Sequence, residues 1–96
     1  MTGKTASPEL LQTLTFIARN HHEDIVAIDT VRAYHYGYKY IVELDIVLDP
    51  EMPLRDAHDI GEALQNKLES IEKVERAFVH LDYEWEHKPE HSRTFT

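Results

Sequence analysis

The fold is decided by residues 38–48, which read YKYIVELDIVL. Apolar side chains occupy the even positions of this segment, while the odd positions carry most of its charges. This period of two predicts a β-strand whose even residues face a hydrophobic core. Ile41 and Val47 make the odd face half-apolar, as does Phe78 on a later strand. The sequence therefore predicts that a second copy of the chain covers this face.

The residues around this strand predict four more elements. Ser7 and Pro8 start a helix over about 8–20, with apolar residues at helical spacing. A segment rich in β-branched residues predicts a strand over about 27–36, followed by a tight turn at Gly37. Pro53 opens a second helix, and a last strand covers about 75–86. The order predicts an α+β fold, a ferredoxin-like (metallochaperone-like) α-β-β-α-β sandwich with two helices on one face of a three-stranded mixed sheet.

The length of 96 residues allows one domain. We expect residues 1–7 to be a linker or an added terminus, 8–86 to form the domain, and 87–96 to be a polar tail. No segment reads as a signal peptide or as the run of about 20 apolar residues that crosses a bilayer, so the sequence predicts a soluble chain without direct membrane insertion.

The composition narrows the function classes. Lys and Arg number 10 against 18 Asp and Glu, and the net charge of −8 argues against nucleic-acid binding. The absence of Cys excludes thiolate metal sites and Cys nucleophiles, and no nucleotide-binding or catalytic motif is present. We therefore expect a protein that is not an enzyme. Seven His and many carboxylates favour divalent cations as ligands.

Four residues are candidate metal ligands. His80 and Asp82 are two apart on the last strand, so they share a face, and Asp45 lies on the outer face of a neighbouring strand. His58 belongs to the first turn of the second helix. Imidazole and carboxylate groups on rigid elements suit a borderline cation such as Zn²⁺. The alternative is that His80 and Asp82 form an exposed polar pair on a solvated face.

Two further His groups are weaker candidates. Residues 21–24, HHED, read as a surface loop that either binds metal loosely or is solvated. His87 and His91 are separated by Pro89, which argues against a helix that would bring them together.

Several blocks together resemble a known family, the cytoplasmic C-terminal domain of cation diffusion facilitator transporters. The blocks are DTVRAY at 29–34, VELDIVL at 42–48, MPL at 52–54, AHDIGE at 57–62, VERAFVHLDY at 74–83 and HKPEH at 87–91. The resemblance extends from about Leu10 to His91, and the wording of the blocks is most similar to the manganese-type branch of plants and fungi, the metal tolerance proteins. The resemblance implies a homodimer below a transmembrane domain of the same chain, which exports divalent metal in exchange for protons.

The resemblance also implies a site and a location. His58, His80 and Asp82 match the family's metal ligands, whereas Asp45 and Ile28 stand where other members have His. It implies Zn²⁺ or Mn²⁺ at a reduced site, or no bound metal. The location would be the cytoplasmic side of a vacuolar, Golgi or other endomembrane. Two other functions stay open, a free-standing metallochaperone and a purely structural dimerisation module.

Overall fold

The computed structural model describes residues 6–83, which form two helices and three strands. Their order is α1 (Pro8–Arg19), β1 (Ala27–Tyr36), β2 (Lys39–Val47), α2 (Leu54–Glu69) and β3 (Val74–Asp82). The sheet order is β1-β2-β3, with β1 and β2 antiparallel and β2 and β3 parallel. The predicted α+β class and mixed sheet are confirmed. The expected end of the last strand and the polar tail lie outside the described residues.

Local chemistry explains where the elements begin. The Ser7 hydroxyl accepts the N–H of Leu10 at 3.3 Å and Pro8 follows, so α1 starts where the sequence predicts. Gly37 adopts a φ of +62° in the β1–β2 turn, a conformation that favours glycine. Tyr38, expected to begin the second strand, lies in this turn and is fully exposed. The reason is that the turn requires two residues and therefore takes Tyr38 from the strand.

The core lies between the two helices and one face of the sheet. Val42, Leu44 and Ile46 on β2 are fully buried, which confirms the predicted even face. Side chains of this size each contribute about 1.5–3 kcal/mol of burial free energy. The helices contribute Leu14, Ala18, Ile60, Leu64 and Leu68 to the same cluster. Within residues 6–83 both helices pack on this face, so the other face of the sheet is left uncovered.

The chain's own groups bond to both edges of the sheet. The N–H of Ala6 donates to the carbonyl oxygen of Ala33 at 3.1 Å, so this buried residue packs on β1 although the sequence analysis assigned it to the linker. At the β3 edge, Gln65 Oε1 accepts the N–H of Val79 at 3.1 Å, and the carboxylate of Glu69 accepts that of Ala77 at 2.9 Å. Both acceptors come from α2, so side chains take the place of a further strand. No helix among these residues is long and apolar enough to cross a bilayer.

Candidate metal centre

The uncovered face of the sheet carries side chains in rows that run across the strands. The strand register sets them, because register partners project from the same face. From the hairpin end to the opposite end, the rows are Tyr34–Ile41–Arg76, Arg32–Glu43–Phe78, Thr30–Asp45–His80 and Ala27–Val47–Asp82. The apolar residues expected here are less exposed than a solvated face would require: Ile41 and Phe78 are half-buried and Val47 is fully buried.

One row contains two of the predicted ligands side by side. Asp45 and His80 are register partners on the parallel pair β2–β3, so both side chains leave the same face on adjacent strands. Asp45 is half-buried and His80 is exposed. The hydroxyl of Thr30, the third member of the row, donates to Asp45 Oδ2 at 2.8 Å. The row therefore offers one imidazole and one oriented carboxylate at the surface.

Asp82 extends this pair along β3. It lies two residues after His80 and so projects from the same face, next to the buried Val47. Its Oδ1 accepts the N–H of Tyr83 at 2.7 Å. The sequence prediction that Asp45, His80 and Asp82 share one face of the sheet is thus correct in placement. The three ligand atoms do not converge within 4.8 Å among the described residues, so one chain alone does not form a closed coordination shell.

The structure does not bring His58 to these three residues within one chain. His58 lies in the second turn of α2, one turn later than expected, and borders a shallow pocket with Val79 and Leu81. A Cβ on Gly61 of α2 would lie 2.9 Å from Leu81 Cδ2, which shows that Val79 and Leu81 face the helix. His80 and Asp82 alternate with them and face the other way. The sheet therefore separates His58 from the rest of the predicted set.

His58 instead joins two acidic neighbours on its own helix. His58, Asp59 and Glu62 each place a ligand atom within 4.8 Å of the other two, and this is the one such group of three found in residues 6–83. His58 Nδ1 lies 3.1 Å from Asp59 Oδ1. All three side chains are exposed. Asp59 and Glu62 are not among the ligands predicted from sequence, although the i, i+4 spacing of His58 and Glu62 is a readable signal.

Ile28, which the family resemblance places at a lost His position, packs with the core. Its register partner is Ile46, a fully buried residue of the helix-facing side. A ligand at this position would not reach the uncovered face. The residue of β1 that does lie beside Asp45 is Thr30, and no sequence signal identified it.

The loop after α1 is solvated in part: Glu23 and Asp24 are exposed, whereas His21 and His22 are half-buried. His21 is half-buried, and its Nε2–H donates to the carbonyl oxygen of Ile60 at 3.2 Å, which ties the loop to α2. Its Nδ1 is buried and has no hydrogen-bond partner among the described residues. Burial, the nearby Lys67 and His22 together lower the pKa of His21, although its hydrogen bond to Ile60 raises it. This imidazole therefore favours the neutral form and serves as a structural contact.

Acidic side chains also gather around an open cavity of about 680 Å³ that lies beside the loop after α1. The loop after α1, the β2–α2 connection and the start of α2 line it together. Its six carboxylates are those of Glu23, Asp24, Asp49, Glu51, Asp56 and Asp59. No Lys or Arg lines this cavity, so it is a region of negative potential that attracts cations.

Comparison with solved structures shows which known fold the chain shares. The chain superimposes on CzrB in its zinc form with a TM-score of 0.76 at 18% identity, covering 90% of this chain and 98% of that one. It superimposes on the metal-bound C-terminal domain of the CzcD transporter from Thermotoga maritima with a TM-score of 0.71 at 22% identity, covering 81% and 93%. At such identities the likeness establishes the shared fold, which is that of transporter C-terminal domains.

The family itself follows from sequence. The model of the cation efflux protein cytoplasmic domain matches residues 6–84, so the chain belongs to the family of cytoplasmic domains of cation efflux proteins, a transporter family and not an enzyme family. Metal tolerance protein 11 of Arabidopsis thaliana is 63% identical over 94 residues, which are 98% of this chain and 24% of that protein. The chain thus spans about a quarter of the length of the curated relatives it matches. The resemblance to the metal tolerance proteins is confirmed.

Proposed function

We propose that this chain is the regulatory and dimerisation domain of a divalent-cation efflux transporter and that it binds the cation on the uncovered face of its sheet. The observation that carries the proposal is the Asp45–His80 register pair, in a chain that belongs to the cation efflux family. Imidazole nitrogen and carboxylate oxygen are ligands that Zn²⁺ and Mn²⁺ accept. Asp82 completes the set that one chain supplies, and no chemical reaction is involved.

A second copy of the chain would complete the site. Three ligands from one chain leave the shell of a four-coordinate Zn²⁺ unfilled. The same face presents the half-buried Ile41 and Phe78, which a partner would cover. A homodimer with this face in its interface therefore explains both the apolar side chains and the incomplete ligand set. Metal binding would then bias the relation between the two copies, and through it the conformation of the transporter.

Asp45 bears on which metal is preferred. A carboxylate in place of His makes the site harder, which favours Mn²⁺ relative to an all-imidazole site. The order of affinities for N/O sites still puts Zn²⁺ above Mn²⁺. We therefore propose that Zn²⁺ binds more tightly in vitro, whichever ion the whole transporter exports. Binding should weaken as pH falls through about 6.5, since imidazole must be neutral to coordinate a metal.

The remaining three quarters of the related proteins would supply the transport pathway. We propose that a transmembrane domain of the same chain exports the cation in exchange for protons, with this domain on the cytoplasmic side of an endomembrane such as the vacuolar or Golgi membrane. The divalent cation is then the substrate of the whole protein and the effector of this domain.

Calorimetric titration with Zn²⁺ and Mn²⁺, paired with sedimentation velocity, tests the proposal. We expect the His80→Ala/Asp82→Ala variant to lose the tight component of Zn²⁺ binding and the metal-dependent shift towards the dimer. The matched control is Glu72→Ala/Glu75→Ala, which removes two exposed acidic groups elsewhere. If the first variant binds Zn²⁺ like the parent, the proposed site is wrong. If His58→Ala/Glu62→Ala is the variant that loses binding and His80→Ala/Asp82→Ala keeps it, the metal is bound by the cluster on α2.

A further inference from the structure

A β-bulge determines which residue of β1 lies beside Asp45. Ile28 pairs with Ile46, yet the next pair in the register is Thr30 with Asp45, so β1 advances two residues where β2 advances one. Asp29 is the extra residue of this bulge. In a regular antiparallel ladder Asp29 would stand opposite Asp45. Bulges re-aim side chains in this way next to functional sites.

The bulge avoids a repulsion between two carboxylates and allows a hydrogen bond in its place. Two carboxylates directly opposed on neighbouring strands repel each other and destabilise the pair. The bulge brings Thr30 to that position instead, and its hydroxyl donates to Asp45 Oδ2 at 2.8 Å. This bond orients the carboxylate through Oδ2, and we expect Oδ1 to be the coordinating atom.

The donor is neutral, and this matters for a cation site. A hydroxyl orients a carboxylate without cancelling its charge, whereas Lys or Arg at the same position would compete with a metal ion. The cationic residue closest along β1, Arg32, belongs to the next row, where its Nη2 lies 3.4 Å from Glu43 Oε1. The guanidinium of Arg32 therefore pairs with Glu43, and Asp45 receives a hydrogen bond from a neutral group, the hydroxyl of Thr30.

We infer that Thr30 is a positioning residue for divalent-cation binding, acting through the carboxylate of Asp45. The inference rests on the proposed function, because it needs Asp45 to be a ligand. Outer-shell hydrogen bonds of this kind orient metal ligands, and their loss costs about 10–100-fold in metal affinity. Thr30 is exposed and lies outside the buried core, so its role in metal binding is separable from folding.

The test is calorimetric titration with Zn²⁺ of three variants at position 30. Thr30→Val has the same shape and removes the hydroxyl, and we expect about tenfold weaker binding or more. Thr30→Ser restores the hydroxyl and should bind within about threefold of the parent. Thr30→Lys should bind weakest of the three, because its ammonium group neutralises Asp45. The metal-free melting temperatures should stay within about 3 °C of the parent, as for exposed substitutions in a domain of this size.

The outcomes separate this inference from the proposed function. If Thr30→Val binds Zn²⁺ like the parent while His80→Ala/Asp82→Ala loses binding, the site stands and the role of Thr30 is refuted. If neither variant weakens binding, the metal is held elsewhere and both fall. Weakening by Thr30→Val and Thr30→Ser alike, with lower metal-free melting temperatures in both, indicates a structural role and also overturns the inference.

Discussion

Removing the side-chain acceptors at the β3 edge should loosen the strand that carries His80 and Asp82. Gln65 and Glu69 on α2 accept the N–H groups of Val79 and Ala77 at 3.1 and 2.9 Å. The double substitution Gln65→Ala/Glu69→Ala leaves both donors without these acceptors. Alanine keeps the helix propensity of α2, so the loss reflects the contacts of these two side chains with β3, which include the ion pair of Glu69 with Arg76 at 3.5 Å.

The magnitude follows from the two bonds. A neutral acceptor contributes about 1 kcal/mol to the free energy of unfolding, and a charged one about 1.5–3 kcal/mol. Both bonds are only partly buried, so water replaces part of each one. We therefore expect a total loss of about 2 kcal/mol, a large fraction of the stability of a small domain.

Urea unfolding followed by circular dichroism measures this loss. With a slope of about 1–1.5 kcal/mol per molar for a small chain, the midpoint should fall by about 1.3–2 M. Glu69→Gln keeps a neutral acceptor and should lose less than Glu69→Ala. The exposed Glu72→Ala is the control and should change little. If the double variant unfolds at the same midpoint as this control, the bonds from α2 do not hold β3 and the reasoning is refuted.

Three further predictions concern the rest of the chain. Because the fold lowers the pKa of His21, the unfolded chain takes up a proton first as pH falls through about 6.5, so the free energy of unfolding decreases as pH falls. In His21→Gln the melting temperature should therefore depend less on pH between pH 7 and 5 than in the parent, and an unchanged dependence would contradict this prediction. With a net charge of −8 per chain, added salt should favour the dimer in sedimentation velocity, and a flat response argues against electrostatic control. In Gly61→Ala, the gain in helix propensity of about 1 kcal/mol is opposed by the displacement of Leu81. The larger side chain of Gly61→Val should make the protein unfold at a clearly lower urea concentration than the parent. Equal unfolding midpoints for Gly61→Val and the parent would refute the close packing of Gly61 on Leu81.

The sequence predicted the elements whose pattern is strictly local. The alternation in β2 and the stripe of α2 give the core face, and the spacing of His80 and Asp82 gives a shared face, because each depends only on the period of one element. Features that depend on the register between strands could not be predicted from the sequence. The bulge at Asp29 puts Thr30 beside Asp45 and leaves Ile28 in the core, and nothing in the composition of β1 marks that position. The face to which His58 belongs depends on how α2 packs on β3, through Gly61 and Leu81.

Anomalous diffraction from crystals grown with Zn²⁺ would locate the bound metal without reference to any variant. We expect a zinc peak on the uncovered face of the sheet, about 2.0–2.2 Å from Asp45 and His80, with a ligand from a second copy of the chain. A peak confined to His58, Asp59 and Glu62 on α2, or to the loop at residues 21–24, would contradict it.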